Sequence, residues 1–393
     1  MTPRERLLTV LRGGIPDRVP VSPDFSNMIP ARLTGKPFWD LYLYNDPPPY
    51  EAYIRAAHHF GIDSLMDGYF WLHFPEDADP REPDWQRYIV HRTDDMLVTQ
   101  SGYRENGKWI WKPVVDVFYR ADSPSSGVKP AKLGLPEVPS RWEPVEGVKP
   151  VLPGPEELKR VKRLMGDQGL VGVWLTGTNP FRSEDDLFRY IDNPDLHEQW
   201  AQERVAAVER RFQQIMALDE KPDFLCVGGS GTLIFQTVDI FRQLALPAVK
   251  RGIELATAHG FPTHVHSCGP EAALVKIMAE ETALSVIDPL EIPPMGDCDL
   301  AELKRRYGKK LTLKGNLHTT DVMLRGTPDD VTSAACQAMR DAGAGGRFIL
   351  STGDQCGRDT PDENLFELLR AAEEFGVYDP ATGRLPKLEG APT

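Results

Sequence analysis

From residue 168 onward the chain repeats one pattern, a short apolar run of strand length followed by a longer amphipathic stretch. The apolar runs fall at 170–175, 224–227, 262–266, 284–287, 311–313 and 348–350. Continuous apolar runs of this length suit strands buried on both faces, and helical stretches between them return the chain to the same direction. Trp200, Val205, Val208, Phe212 and Ile215 form one helical stripe before the second run, and Leu365, Leu368, Leu369 and Ala372 mark the last helix. With strands also expected at Val19 and at 64–66, the total reaches eight, which favours a (β/α)8 TIM-type barrel over an open sheet. No Gly-x-Gly-x-x-Gly follows a strand and no Gly-Lys-Ser/Thr loop occurs, so nucleotide-cofactor folds lack support.

The first 165 residues are less regular. A short helix at 4–11, a turn at 13–17 and the strand at 19–21 lead into an aromatic and Pro-rich stretch. Segments 96–100 and 109–112 flank Asn106-Gly107, a type I′ turn signal, and predict an inserted β-hairpin. The Pro-, Ser- and Gly-rich residues 122–150 read as a long surface loop. The expected organisation is one barrel domain over 1–393, with an N-terminal part (1–165) carrying the hairpin and regular βα units over 166–380.

Hydrophobic residues at 41% and charged residues at 26% belong to a folded globular chain. Lys plus Arg number 45 against 58 Asp plus Glu, a net charge of −13, which argues against wrapping nucleic acid or an anionic membrane. Met1-Thr2-Pro3-Arg4-Glu5-Arg6 carries charge at once, and no run of about 18 apolar residues occurs, so a cytoplasmic location is expected. The five cysteines are an odd, irregularly spaced set, suited to packing, metal or catalysis rather than to disulfides. Cys226, Cys298 and Cys336 have no partners at ligand spacing and read as core residues.

The sharpest chemical feature is Thr263-His264-Val265-His266-Ser267-Cys268-Gly269, at the end of an apolar run. Alternation along a strand puts His264, His266 and Cys268 on one face, so His266 and Cys268 can converge on one ion. Ser351-Thr352-Gly353-Asp354-Gln355-Cys356 follows the last run, and in a barrel both segments reach the rim where active sites are built. His266, Cys268 and Cys356 would supply three ligands and leave a fourth position open, as catalytic zinc requires. Two thiolates would weaken such an ion as a Lewis acid and leave a bound thiolate nucleophilic, which favours alkyl transfer over hydrolysis. The competing reading makes both cysteines buried hydrophobes and His266 a hydrogen-bonded core histidine.

Thr2-Pro3-Arg4-Glu5-Arg6-Leu7-Leu8 through Pro16-Asp17-Arg18-Val19-Pro20-Val21 resembles the opening of uroporphyrinogen decarboxylase superfamily proteins. The segments 241–247, 266–269, 314–317, 326–331 and 360–365 resemble its corrinoid-dependent methyltransferase branch. The resemblance implies a barrel in which His266, Cys268 and Cys356 hold zinc, with methyl passing between a small molecule and a cobalamin. That small molecule would be a methoxylated aromatic or a thiol such as coenzyme M. The Asp-x-His-x-x-Gly cobalamin motif is absent, so the corrinoid would arrive on a separate protein. Family members can use an acidic fourth ligand some twenty residues past the Cys, near which both Asp288 and Glu291 fall. The decarboxylase signature Met-Arg-Gln-Ala-Gly-Arg is replaced here by Ser22-Pro23-Asp24-Phe25-Ser26-Asn27.

His264 is a candidate to orient the metal-binding imidazole, or it merely packs. Tyr69 and Trp71 are candidates to sandwich a planar substrate at the rim, and Asn27 and Asn316 to orient it. Asp24 and Asp67 sit close to strand ends in the same way. Loop geometry or core packing explains each of these equally well. Two other functions stay open. A metal-independent decarboxylase predicts an Arg-lined pocket, with Arg32, Arg182 and Arg358 as candidates, and a non-catalytic binding module predicts a closed metal site or none. A homodimer is compatible with either.

Overall fold

The six apolar runs from 170 onward and the run at 64–66 are strands, whereas the strand expected at 19–21 is present only as isolated bridges at Arg18 and Val21. The computed structural model describes residues 1–67, 72–74, 83–150, 154–181 and 184–392. Its strands in chain order are β1 (Ser64–Met66), β2 (Gln86–Arg92), β3 (Met96–Glu105), β4 (Lys108–Tyr119), β5 (Ser125–Val128), β6 (Glu143–Pro144), β7 (Gly169–Trp174), β8 (Phe224–Gly228), β9 (Thr263–His266), β10 (Val286–Asp288), β11 (Thr312–Leu317) and β12 (Phe348–Thr352). A parallel seven-stranded sheet runs β1-β7-β8-β9-β10-β11-β12, with helices between successive strands from β7 onward. The run at 311–313 continues as β11 to Leu317, with Lys314 and Asn316 buried in it and paired along β12.

The stretch around Val21 closes the ring between β12 and β1. Val21 pairs in parallel with Leu350, Ser22 N–H donates to the Leu350 carbonyl, and Leu350 N–H donates to the Pro20 carbonyl. On its other side the Val21 carbonyl accepts from Asp63 N–H. The sheet thus curls into a (β/α)8-type barrel whose eighth position is a short bridge. Among the described residues, no helix is long and apolar enough to cross a membrane.

The first helix, Pro3–Leu11, starts from a capping box between Thr2 and Glu5. Its Leu7, Val10 and Leu11 pack on Leu65, Leu170, Phe224, Cys226, Val286 and Ile349, and so plug the N-terminal end of the barrel. Cys298 and Cys336 lie in the main apolar core between strands and helices.

The hairpin forms at Asn106-Gly107, both with positive φ (48° and 78°), as a type I′ turn requires. It is the centre of a larger antiparallel sheet of order β5-β4-β3-β2-β6. Gly102 is needed there because a Cβ would stand 2.6 Å from the Trp111 ring. Residues 122–150, expected as a loop, instead supply both edges of this sheet, β5 and β6, and the short helix Pro130–Leu133. Edge strands tolerate the Gly and Pro that made the segment look unstructured, since half their backbone groups need no ladder partner.

Candidate active site at the barrel mouth

Parallel register brings the chemical residues into one layer at the C-terminal ends of the strands. His266 on β9 is paired with Asp288 on β10, and the Ile287–Leu313 pairing sets Asp288 beside Lys314 on β11. Asp67 follows β1 directly, and Asp354 follows β12. Asp288 Oδ1 lies 3.1 Å from both His264 Nε2 and His266 Nδ1, and its Oδ2 accepts from the Lys314 ammonium. His264 Nδ1 is 3.1 Å from Asp67 Oδ2. A buried line of polar groups therefore runs from Asp67 through His264 and Asp288 to His266.

The electrostatics of this line follow from its pairing. Burial alone would raise the Asp288 pKa, but the Lys314 ammonium and both imidazoles outweigh it and hold the carboxyl well below the usual range. Burial alone would lower the His266 pKa, yet the Asp288 charge and hydrogen bond push it well above its ordinary value.

On the opposite side of the His266 ring, Nε2 faces Asp354 Oδ1 at 3.6 Å. Donor atoms of His266, Cys268 and Asp354 all lie within 4.8 Å of one another. Asp354 Oδ1 is buried without a hydrogen-bond partner, and burial pushes its carboxyl up to about 6. Its φ of 103° is one that L-residues rarely adopt, a strain typical of functional positions. A separation of 3.6 Å is that of two ligands on one tetrahedral ion with bonds of about 2.0–2.2 Å. The donors present thus fit a zinc-type ion.

Hydroxyl contacts hold the β9 segment. Ser267 Oγ accepts from Thr232 N–H (2.9 Å) and donates to Thr232 Oγ1 (2.8 Å), while the Cys268 thiol is 3.6 Å from Ser230 Oγ. The Gly-rich 228–232 turn therefore steers Cys268 rather than cradling a phosphate.

Of the three metal residues expected from sequence, His266 and Cys268 converge and Cys356 does not join the cluster. Cys356 is fully buried, where burial, then the Asp24 charge, raise its thiol to about 12. The residue of this loop whose donor atom lies within 4.8 Å of those of His266 and Cys268 is Asp354, two residues earlier. Asp288 touches His266 from behind and also belongs to a second cluster with Asp67 and His266. Glu291 is buried and accepts from Gly269 N–H, which anchors the turn after Cys268. His264 does contact Asp288 as an orienting residue would.

The cavity in front of His266 has a volume of about 330 Å³. Asn27 lines it, as do Tyr42, Ser123 and Trp174. Asn316 donates to the Leu290 carbonyl and lines a separate hollow with His318. Tyr69 and Trp71 lie outside the described residues. Asp354, Lys314 and Ser230 were missed from sequence. The signal for Lys314 was a lysine inside a strand too apolar to have a wet face.

Glu271 sits beside this layer, 1% exposed, with Oε1 accepting from Leu233 N–H at 2.8 Å. Burial raises its carboxyl from an ordinary 4.5 to about 7. A raised carboxyl favours the folded state fully below about 4.5, and that contribution is lost as pH rises through about 7. Glu271→Gln, which keeps the acceptor, is expected to remove this part of the decline. Thermal midpoints against pH should fall less steeply in the variant between those values, and parallel curves would refute the assignment.

Residues 219–375 match the uroporphyrinogen decarboxylase (URO-D) family. Uroporphyrinogen decarboxylases from three Coxiella burnetii strains are each 28% identical over 79 residues, 20% of this chain and 21% of theirs. The chain therefore aligns with only about a fifth of the length of these curated relatives. Among solved structures, a methyltransferase from Methanosarcina mazei has the same fold, with a TM-score of 0.60 at 18% identity, covering 95% of this chain and 99% of that one. The matched segment holds β9 to β12 and with them His266, Cys268, Asp288 and Asp354. Residues 219–375 are thus similar to the uroporphyrinogen decarboxylase (URO-D) family, and the chain as a whole shares the barrel fold of the solved methyltransferase.

Proposed function

We propose that the protein is a zinc-dependent methyltransferase that moves a methyl group between a small molecule and a cobalamin carried by a separate corrinoid protein. The observation that carries the reading is the convergence of His266, Cys268 and Asp354 at the mouth of the barrel, with a buried carboxylate oxygen left unpaired. His266 and Cys268 would hold the ion together with the 351–356 loop, which presents Asp354 and Cys356 two residues apart. When bound, the ion would supply Lewis acidity for a thiol or an ether oxygen. Asp288 fixes the His266 ring by occupying Nδ1, which leaves Nε2 for the ion. The solved methyltransferase of the same fold supports the reading, as does the family match.

A decarboxylase would need cations at the substrate. Arg32 is paired with Asp362, Arg358 is paired with Asp359 and the Ala121 carbonyl, and Arg182 lies outside the described residues. Among the described residues that line the cavity there is no arginine or lysine.

The test is metal content of protein purified without chelator, followed by methyl transfer read from the cobalamin absorption spectrum with thiols and methoxyarenes. Near-stoichiometric zinc is expected, lost in Cys268→Ser. Asp354→Ala and Cys356→Ser decide which residue of the loop completes the site. Folded, reduced protein without metal would sink the mechanism.

A further inference from the structure

Among the described residues, the wall of the cavity at the barrel mouth is acidic, with His266 the one imidazole and no arginine or lysine on it. Its lining holds two carboxylates, Asp24 and Asp67, among hydroxyl and amide groups that include Ser123 and Gln355. Asp354 adds a third carboxylate beside His266. Lys314 lies beneath, but its ammonium is taken by Asp288. An ion held by His266, Cys268 and Asp354 would be balanced by the thiolate and the Asp354 carboxylate, which leaves Asp24, and beside it Asp67 turned toward His264, as the acidic groups of the described wall. An anionic ligand entering 330 Å³ of such space would give up its water and meet carboxylates, whereas an ammonium would be paired.

We propose that this cavity takes small uncharged or amine-bearing substrates and rejects those carrying a carboxylate or sulfonate, with Asp24 and Asp67 making the selection. The inference rests on reading the barrel mouth as the methyl-transfer site. It removes sulfonate thiols such as coenzyme M, and methoxylated aromatic acids, from the methyl partners the fold would otherwise admit. It also assigns the inserted sheet a part in selection, because Ser123 reaches the wall from the loop between β4 and β5, held by a contact to Tyr42 Oη at 3.3 Å.

The experiment is isothermal titration of the purified protein, without cobalamin, with para-methoxybenzylamine, para-methoxybenzyl alcohol and para-methoxybenzoate near neutral pH. These probes share a ring and a methoxy group and differ in charge. The benzoate is expected to bind at least about tenfold more weakly than the amine. Asp24→Asn and Asp67→Asn should each narrow that gap, and Ser123→Lys, which brings a cation to the wall, should narrow it further or invert it. Asp24→Asn keeps the acceptor for Ser26 N–H, and Ser123 is on a surface loop, so these two variants guard against a folding defect in Asp67→Asn. Equal or tighter binding of the benzoate overturns the proposal, as does a preference unchanged in all three variants or no binding of any probe. Charge-selective binding with a failed methyl-transfer assay would sink the functional reading and leave the selectivity standing.

Discussion

Asp63→Ala is expected to destabilise the protein by about 3–5 kcal/mol, the cost of stripping a buried acceptor from two buried cations. Asp63 is fully buried just before β1 and accepts from the Arg6 and Arg18 guanidiniums and from Val21 N–H at 2.8 Å. Asp17 completes the group by accepting from Arg6 Nε at 2.7 Å. The cluster joins the N-terminal helix, the barrel-closing bridge and β1, so its loss opens the ring where it has fewest backbone bonds. Asp63→Asn keeps the acceptor for Val21 N–H and loses the charge, and should fall between alanine and wild type. Urea unfolding midpoints check both, and a shift worth less than about 1 kcal/mol for alanine would refute the assignment.

Asp288→Ala should have an effect of similar size, with a chemical consequence added. It leaves the Lys314 ammonium and two imidazoles without their shared acceptor, expected to cost about 3–5 kcal/mol. It also frees the His266 ring, which should weaken zinc binding by about 10–100-fold, as removal of a ligand-orienting carboxylate typically does. The two effects separate in the double variant Asp288→Ala/Lys314→Met. Removing the stranded ammonium should recover part of the stability without restoring metal affinity. Chelator competition reads the affinity and urea unfolding the stability. Metal affinity unchanged in Asp288→Ala would show that the carboxylate does not orient His266.

The barrel was legible in the chain because its strands are apolar runs too short for helices, separated by stretches with a helical stripe. That His266 and Cys268 converge was legible because alternation along a strand is a local rule that holds without knowledge of the neighbours. The edge strands β5 and β6 were not, since their sequences are those of loops and only pairing with β4 and β2 makes them strands.

Of the 351–356 segment, the sequence alone determined that in a barrel it would reach the same rim as His266, because it leads from the last strand to the last helix. Which of its side chains faces His266 was decided by the backbone of Asp354, whose positive φ turns its carboxylate to the imidazole while Cys356 is buried beyond it. The same holds for Asp67, Asp288 and Lys314. They lie on or just after strands distant in sequence, and only the parallel register of the closed sheet sets them into one layer, in which Asp288 and Lys314 are hydrogen-bonded and Asp67 faces His264 at 3.1 Å.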